Sequence, residues 1–233
     1  MTDLTIQQAS RHAVYVQRYA GYLANLFDPY ITKLQRELKL ALMDFTNETQ
    51  DIRRINRMLA EYRKASLVVY GEYNSDVLLK QLLEFAPDEA KWQLAALETA
   101  VDTTSVSLTL PAASQVVAAV KSSPLVFPDG NGVAMLNPFI KGWEANQIKK
   151  VEDIIRTGFI LGRTNNQITQ DIAGKGGYLD NQVRQSIKTM VRTATNHTSN
   201  LARQATFDDN EYKPGGHSVH VVAPVLAPVF VLE

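Results

Sequence analysis

The sequence predicts a mainly α-helical fold, two helical modules followed by an extended C-terminal tail. Three observations predict it. Apolar residues recur at three- and four-residue spacing over most of the first hundred positions and again from about 138 to 210. Asp, Asn and Pro mark starts of these runs and Gly marks stops, at short intervals. Alternating or β-branched stretches are confined to residues 106–110 and to the last twenty residues.

The first helix is predicted over residues 5–27, with Tyr15, Tyr19, Tyr22, Leu23, Leu26 and Phe27 on one stripe. Asp28-Pro29 restarts the chain, with Asp28 as N-cap and Pro29 in the first helical position, where its missing N–H is not needed. Ile31, Leu34, Leu38, Ala41, Leu42 and Phe45 give the second helix its inner face. A third starts at Thr49 or Asp51; Ile52, Ile55, Leu59, Tyr62 and Ala65 face inward, and Arg53, Arg54, Arg57, Arg63 and Lys64 lie mostly off that stripe. Gly71 and Asn74 weaken its continuation to Phe85. Pro87 is expected to open a further helix bearing Trp92, Leu94, Leu97 and Val101. Residues 1–101 thus read as an antiparallel hairpin or bundle with short connections.

Residues 102–137 read as a linker or hinge. Val106, Leu108 and Leu110 alternate with Ser and Thr as a weak strand, Pro111 ends it, and residues 112–121 suit a short helix. Pro124, Pro128, Asp129-Gly130 and Asn131-Gly132 are turn signals. The second module, residues 138–210, starts at Asn137-Pro138. Phe139, Trp143, Ile148, Val151, Ile154, Ile155 and Phe159 predict a helix ending near Gly162, and a short helix follows over 165–173. Gly174-Lys175-Gly176-Gly177 is a turn; its spacing and setting do not fit a phosphate-binding loop. Asp180 is expected to cap the last long helix, whose inner stripe is Val183, Ile187, Met190, Val191, Ala194, Thr198, Leu201 and Ala205. Residues 211–233 lack a helical period. Two prolines and many valines suit an extended segment pairing at an edge or lying on a partner, with Val219, Val221, Val225, Val229 and Val231 as candidate contacts.

Composition narrows the function. Lys+Arg and Asp+Glu number 24 each, so overall charge gives no argument for nucleic-acid binding. With no cysteine, disulfides, Cys-ligated zinc and thiol chemistry are excluded, and a reducing cytoplasm is the expected place of synthesis. Met1-Thr2-Asp3-Leu4 lacks a signal-peptide pattern and no apolar run reaches membrane-spanning length. His217 and His220, three apart in an extended segment, point to different faces and chelate poorly. Hydrolase and dinucleotide motifs are absent. No catalytic residue, cofactor, metal or small-molecule substrate is expected.

Two successive stretches carry a resemblance. The first runs from Val151 through Arg156-Thr157-Gly158 and Gly162 to Ile168. The second runs from Ile187 through Arg192-Thr193-Ala194-Thr195-Asn196 to Arg203. Together they resemble the phage Mu F-like head-morphogenesis proteins, a family of minor capsid proteins, over about residues 138–210. In that family a helix ends in glycine, a small helix follows, and a long helix carries an Arg-Thr pair with polar positions one and two turns on. Here Arg192, Thr193, Asn196, Asn200 and Arg203 match those positions. The family's following strand-rich part, with its tryptophan, Asp-x-Arg-Thr element and cysteines, has no counterpart in residues 211–233.

The resemblance implies a low-copy structural component of a phage head. It would lie in the capsid interior near the portal and act in head assembly, DNA packaging or DNA ejection. The implied partners are portal or neck protein, other capsid proteins, further copies of the chain and packaged double-stranded DNA. The rival reading is a helical DNA-binding or adaptor protein outside the virion.

Two readings of the last helix stay open at the sequence level. Arg184, Lys188 and Arg192 lie on one line four residues apart, and ten Lys/Arg against five Asp/Glu fall between Lys141 and Arg203. That row is a candidate DNA contact or an ordinary solvated face. Arg192 is read first as a tie between helices, bonding carbonyls or a carboxylate, and Thr193 as bonding back to its own helix.

Overall fold

The helices form where the apolar period runs. A computed structural model describes residues 3–43, 52–100, 107–126 and 132–210. They comprise α1 (Asp3–Asn25), α2 (Asp28–Met43), α3 (Ile52–Gly71), α4 (Lys80–Ala100), α5 (Ala113–Ser122), β1 (Pro124–Val126), β2 (Val133–Met135), α6 (Leu136–Ile160), α7 (Asn165–Ala173) and α8 (Arg184–Asn210). The fold is mainly α, as predicted.

Two predicted starts are built differently. Tyr30 and Ile31 donate their backbone N–H groups to the Phe27 carbonyl at 2.9 and 3.2 Å, so the α2 ladder begins one residue before Asp28. Asp28 sits in the first turn and its carboxylate pairs with Arg184 of α8. Asp180 likewise is not a cap. Its oxygens accept from the Gly176 N–H and the Arg184 Nε at 3.1 Å each, locking the glycine turn against the start of α8. Those two bonds hold its carboxyl below the usual range.

Pro87 opens no helix. From Ile52 to Ala100 the chain stays helical, widening to a π-helical stretch at Glu72–Leu79, and Pro87 lies inside α4. Its ring removes one ladder bond, but Phe85, Ala86, Glu89 and Ala90 on both sides are buried, and their packing carries the helix through. The π stretch puts consecutive residues to use. Tyr73 Oη donates to the Leu23 carbonyl at the end of α1 (2.8 Å), while Asn74 Nδ2 donates to Glu144 Oε2 of α6 (2.9 Å).

The two predicted helical stretches interleave in space. α1 and α4 pack on α8, α3 on α6 and α2 on α7, and one apolar core runs through all of them. α3 and α6 are antiparallel, fixed by Asn56–Arg156, Arg63–Glu152 and Asn74–Glu144. Phe27 is the aromatic hub of that core, with Tyr30, Tyr70, Tyr73 and Trp143 at 4.9 to 6.0 Å between ring centres.

The described part of residues 102–137 is packed rather than hinge-like. α5 lies on α8 and α4, and Val116, Val120 and Leu125 enter the core. The strands are not where alternation suggested. β1 and β2 pair antiparallel, with Leu125 opposite Ala134, around the predicted turn region. Residues 107–110 have no strand partner; instead the Asn210 side-chain amide brackets Thr109, accepting from its N–H at 2.7 Å and donating to its carbonyl at 2.8 Å. An amide side chain here does what a neighbouring strand would.

Gly158 is required by close approach: a Cβ there would lie 2.6 Å from Ile168 Cγ1 of α7. Gly162, at φ +68°, ends the α6 region in the left-handed conformation that glycine permits. Gly158→Ala is predicted to cost about 1–3 kcal/mol through overpacking. Gly142→Ala, in an exposed and open position of the same helix, should gain about 0.5–1 kcal/mol. Urea denaturation of both variants checks this; equal effects of one sign would contradict the packing argument.

Candidate functional site

α8 presents its residues in two classes. The buried stripe is Ile187, Met190, Val191, Ala194, Thr195, Thr198, Ser199, Ala202 and Thr206. The hydroxyls of Thr195, Thr198 and Thr206 donate to the carbonyls of Val191, Ala194 and Ala202 at 2.8, 2.9 and 3.0 Å, so polar residues enter the core without an unmet donor. This is the role expected of Thr193, taken instead by its neighbours one face round.

The predicted motif residues separate. Arg192 is exposed and ties no helices together: among the described residues it has no hydrogen-bond or ion-pair partner. Thr193 is half-buried and Asn200 exposed. Asn196 Oδ1 accepts from Gln17 of α1 at 3.2 Å. Arg203 lies 5.3 Å over the Trp92 ring and 4.0 Å from Glu89, and burial pushes its guanidinium below its usual value, opposed by Glu89. The cationic row does not survive as a unit. Arg184 is held between Asp28 and Asp180, whereas Lys188 and Arg192 remain exposed. The tail valines, with His217 and His220, lie outside the described residues.

What the structure assembles around Arg203 is a buried carboxylate. Glu89 of α4 is 1% exposed. His12 Nε2 lies 2.9 Å from its Oε1, and Ser199 Oγ donates to its Oε2 at 2.5 Å. The His12 ring stacks on Trp92 at 3.5 Å between centres, 8° from parallel. The order of contacts decides the chemistry. The carboxylate stands between serine and histidine, so histidine is not placed to take the serine proton. Ser199 is itself buried, away from any substrate. The cluster locks α1, α4 and α8 together. Beside it an open groove of about 390 Å³ runs between Gln8, Arg11, His12, Trp92 and Thr99.

Sequence reading passed over His12, Glu89 and Ser199. A signal existed, because His12 falls on the stripe of Val16, Ala20 and Leu23, and Glu89 sits among Phe85, Ala86 and Ala90. A charged residue on an apolar stripe announces a buried partner, but which partner, 77 and 110 positions away, only the fold supplies.

Two further buried carboxylates join α3 and its continuation to α6. Arg63 Nε and Nη2 grip Glu152 at 2.7 and 2.5 Å, a two-point contact. Glu144 has only the Asn74 amide, and burial raises its carboxyl above the ordinary 4.5, opposed by that bond and by Lys141. Among the described residues no three His, Cys, Asp or Glu are grouped to hold a metal, and no described helix is long and apolar enough to cross a membrane. No family model matches the chain, nor does any of the curated proteins or solved structures compared with it.

Glu89→Ala is predicted to destabilise by about 3–5 kcal/mol, as expected for breaking a buried charged network, and Ser199→Ala by about 0.5–1.5 kcal/mol. Chemical denaturation measures both, and a Glu89→Ala loss no larger than that of Ser199→Ala would refute the lock. Glu144 predicts a pH effect. Its folded state binds the proton more tightly than the unfolded chain, so stability falls as pH rises from the ordinary 4.5 through the raised folded value. Glu144→Gln keeps an acceptor for Asn74 and should flatten that fall. A Tm–pH profile still as steep as the parent's would assign the dependence elsewhere.

Proposed function

We propose that this chain is a minor structural protein of a bacteriophage head, held in the capsid interior near the portal, without catalytic activity, and acting in head assembly, DNA packaging or DNA ejection. The observation that carries the reading is the ordered passage of α6, α7 and α8. α6 gives way at Gly162, α7 opens on a Thr164 cap, where Thr164 accepts from the Gln167 N–H and Gln167 Oε1 accepts from the Thr164 N–H, and α8 follows with Arg192-Thr193, Asn196, Asn200 and Arg203. That order is the one in which the sequence resembles head-morphogenesis proteins. Portal or neck protein, neighbouring capsid proteins and further copies of the chain are its partners in this reading. The outer face of α1 offers Ile6, Val14, Tyr15 and Tyr22, each at least half exposed, as a contact surface. In this reading Val219, Val221, Val225, Val229 and Val231, which lie outside the described residues, supply a further apolar contact with a neighbour.

A DNA-binding or adaptor role outside the virion is the second reading, favoured by exposed cations, such as Arg57 and Lys64 of α3, that make no ion pair among the described residues. Mass spectrometry of DNA-filled and emptied virions separates the two. Presence in filled heads and loss on emptying marks an ejected internal protein, and presence in both marks a fixed portal or neck component. Absence from both overturns the virion reading. Deleting residues 214–233 should reduce incorporation into heads and leave helix content intact, which circular dichroism and virion composition check together. Full incorporation of the truncated chain would rule out the docking role of the tail.

A further inference from the structure

Charge on this molecule is sorted by place, although the chain as a whole is neutral. α3 carries Arg53, Arg54, Arg57, Arg63 and Lys64 against Glu61 alone. Its helical continuation carries Glu72, Asp76, Glu84, Asp88, Glu89 and Glu98 against Lys80 and Lys91. One unbroken run of helix is therefore basic in its first part and acidic in its second.

The antiparallel α3–α6 contact extends the basic part sideways. Arg156 bonds to Asn56, and Arg63 grips Glu152, so Lys149 and Arg156 of α6 are brought alongside α3. α3 together with residues 149–156 holds eight Lys/Arg against three Asp/Glu. Glu152 is buried beneath Arg63, and the two offset each other, leaving seven Lys/Arg against two Asp/Glu. Arg57, Lys64, Lys149 and Lys150 are exposed and make no ion pair among the described residues, and Arg156 is bonded to the neutral Asn56 amide rather than to a carboxylate.

The geometry selects the partner. Arg57 and Lys64 are about 10 Å apart along the helix at 1.5 Å per residue, and packed helices stand roughly 8–10 Å apart. Two rails of cations on rigid helices fit an extended polyanion better than a single small anion. α3's aromatic rings, Tyr62 and Tyr70, are buried, so the face gives unpaired bases nothing to stack on. The α8 row is the weaker candidate, because Asp28 and Asp180 neutralise Arg184. We infer that the α3–α6 face binds the phosphate backbone of double-stranded nucleic acid, by charge and without sequence preference. This goes beyond the head-protein reading and stands without it, since it concerns the purified chain alone.

The test is fluorescence anisotropy of the full chain with a short random-sequence duplex DNA, titrated from about 50 to about 200 mM salt. The expected result is binding that weakens steeply with salt. Arg57→Glu/Lys64→Glu should lose at least about tenfold in affinity, and Arg57→Gln/Lys64→Gln should flatten the log–log salt slope by about 0.9 per phosphate contact removed. Lys188→Glu/Arg192→Glu on α8 should bind within about twofold of the parent. All four positions are exposed, and unchanged circular dichroism confirms that the variants fold. No binding by the parent chain, no effect of the α3 substitutions, or an equal loss from the α8 pair overturns the inference. So does equal competition by single-stranded DNA or polyglutamate.

Discussion

Glu89 accepts from Ser199 and pairs with His12 in a place closed to water, and that arrangement dictates how three helices meet. A carboxylate taken out of water must be surrounded by donors. Here they come from α1 and α8, with the Arg203 guanidinium at the edge of the same cluster. α8 can come this close because its inner stripe is made of Ala, Ser and Thr in the half nearest Glu89. Small side chains bring backbones together, and threonine hydroxyls turned back to their own helix keep that stripe free of unmet donors. Once α1, α4 and α8 are set, α5 is laid over the α4–α8 seam and Asn210 brackets the chain that leads to it.

The other half of the molecule uses the same device differently. α3 and α6 are joined by Arg63–Glu152 and Asn74–Glu144, and the Asn74 contact is presented by the π-helical stretch. Tyr73 and Asn74 are both buried there, one reaching α1 and the other α6. Such insertions frequently mark places under functional demand; here the visible demand is to connect two packing layers through one continuous helix.

In the proposed head role, function resides in surfaces. Among the described residues the Glu89 and Glu152 carboxylates find their partners on neighbouring helices. Features open to solvent among the described residues include the apolar outer side of α1, Arg57 and Lys64 of α3, Lys149 and Lys150 of α6, and Lys188 and Arg192 of α8. Rigid helices carrying separate apolar and charged faces suit a component that touches several neighbours at once. The proposed head role and the inferred nucleic-acid face draw on different parts of that surface, so either can stand alone.

Much of the fold could be read from residues. The period of Ile31, Leu34, Leu38 and Leu42 gave α2, and Trp143 to Phe159 gave α6, because solvent exclusion acts on spacing that is written locally. Gly162 was readable as a stop because the left-handed backbone that ends a helix favours glycine locally. Pro87 was misread because packing on either side outweighs a local penalty that sequence shows by itself. The strand assignment failed because Thr109 finds an Asn210 amide 101 residues away, while the true strands are three residues each, too short for alternation to announce them. Sequence by itself determined most of the helices, the buried stripes of α2, α6 and α8 and the balance of charge, but not the stripe of α1, where Tyr15 and Tyr22 are exposed and His12, Val16 and Ala20 are buried instead. Only the tertiary structure decided that Glu89 meets His12 and Ser199, that Arg184 is neutralised while Lys188 is not, and that α6 lies beside α3 through Arg156–Asn56 and Glu152–Arg63. Hydrophobic periodicity is a local property, whereas the pairing of charges depends on distances that exist only after the helices pack.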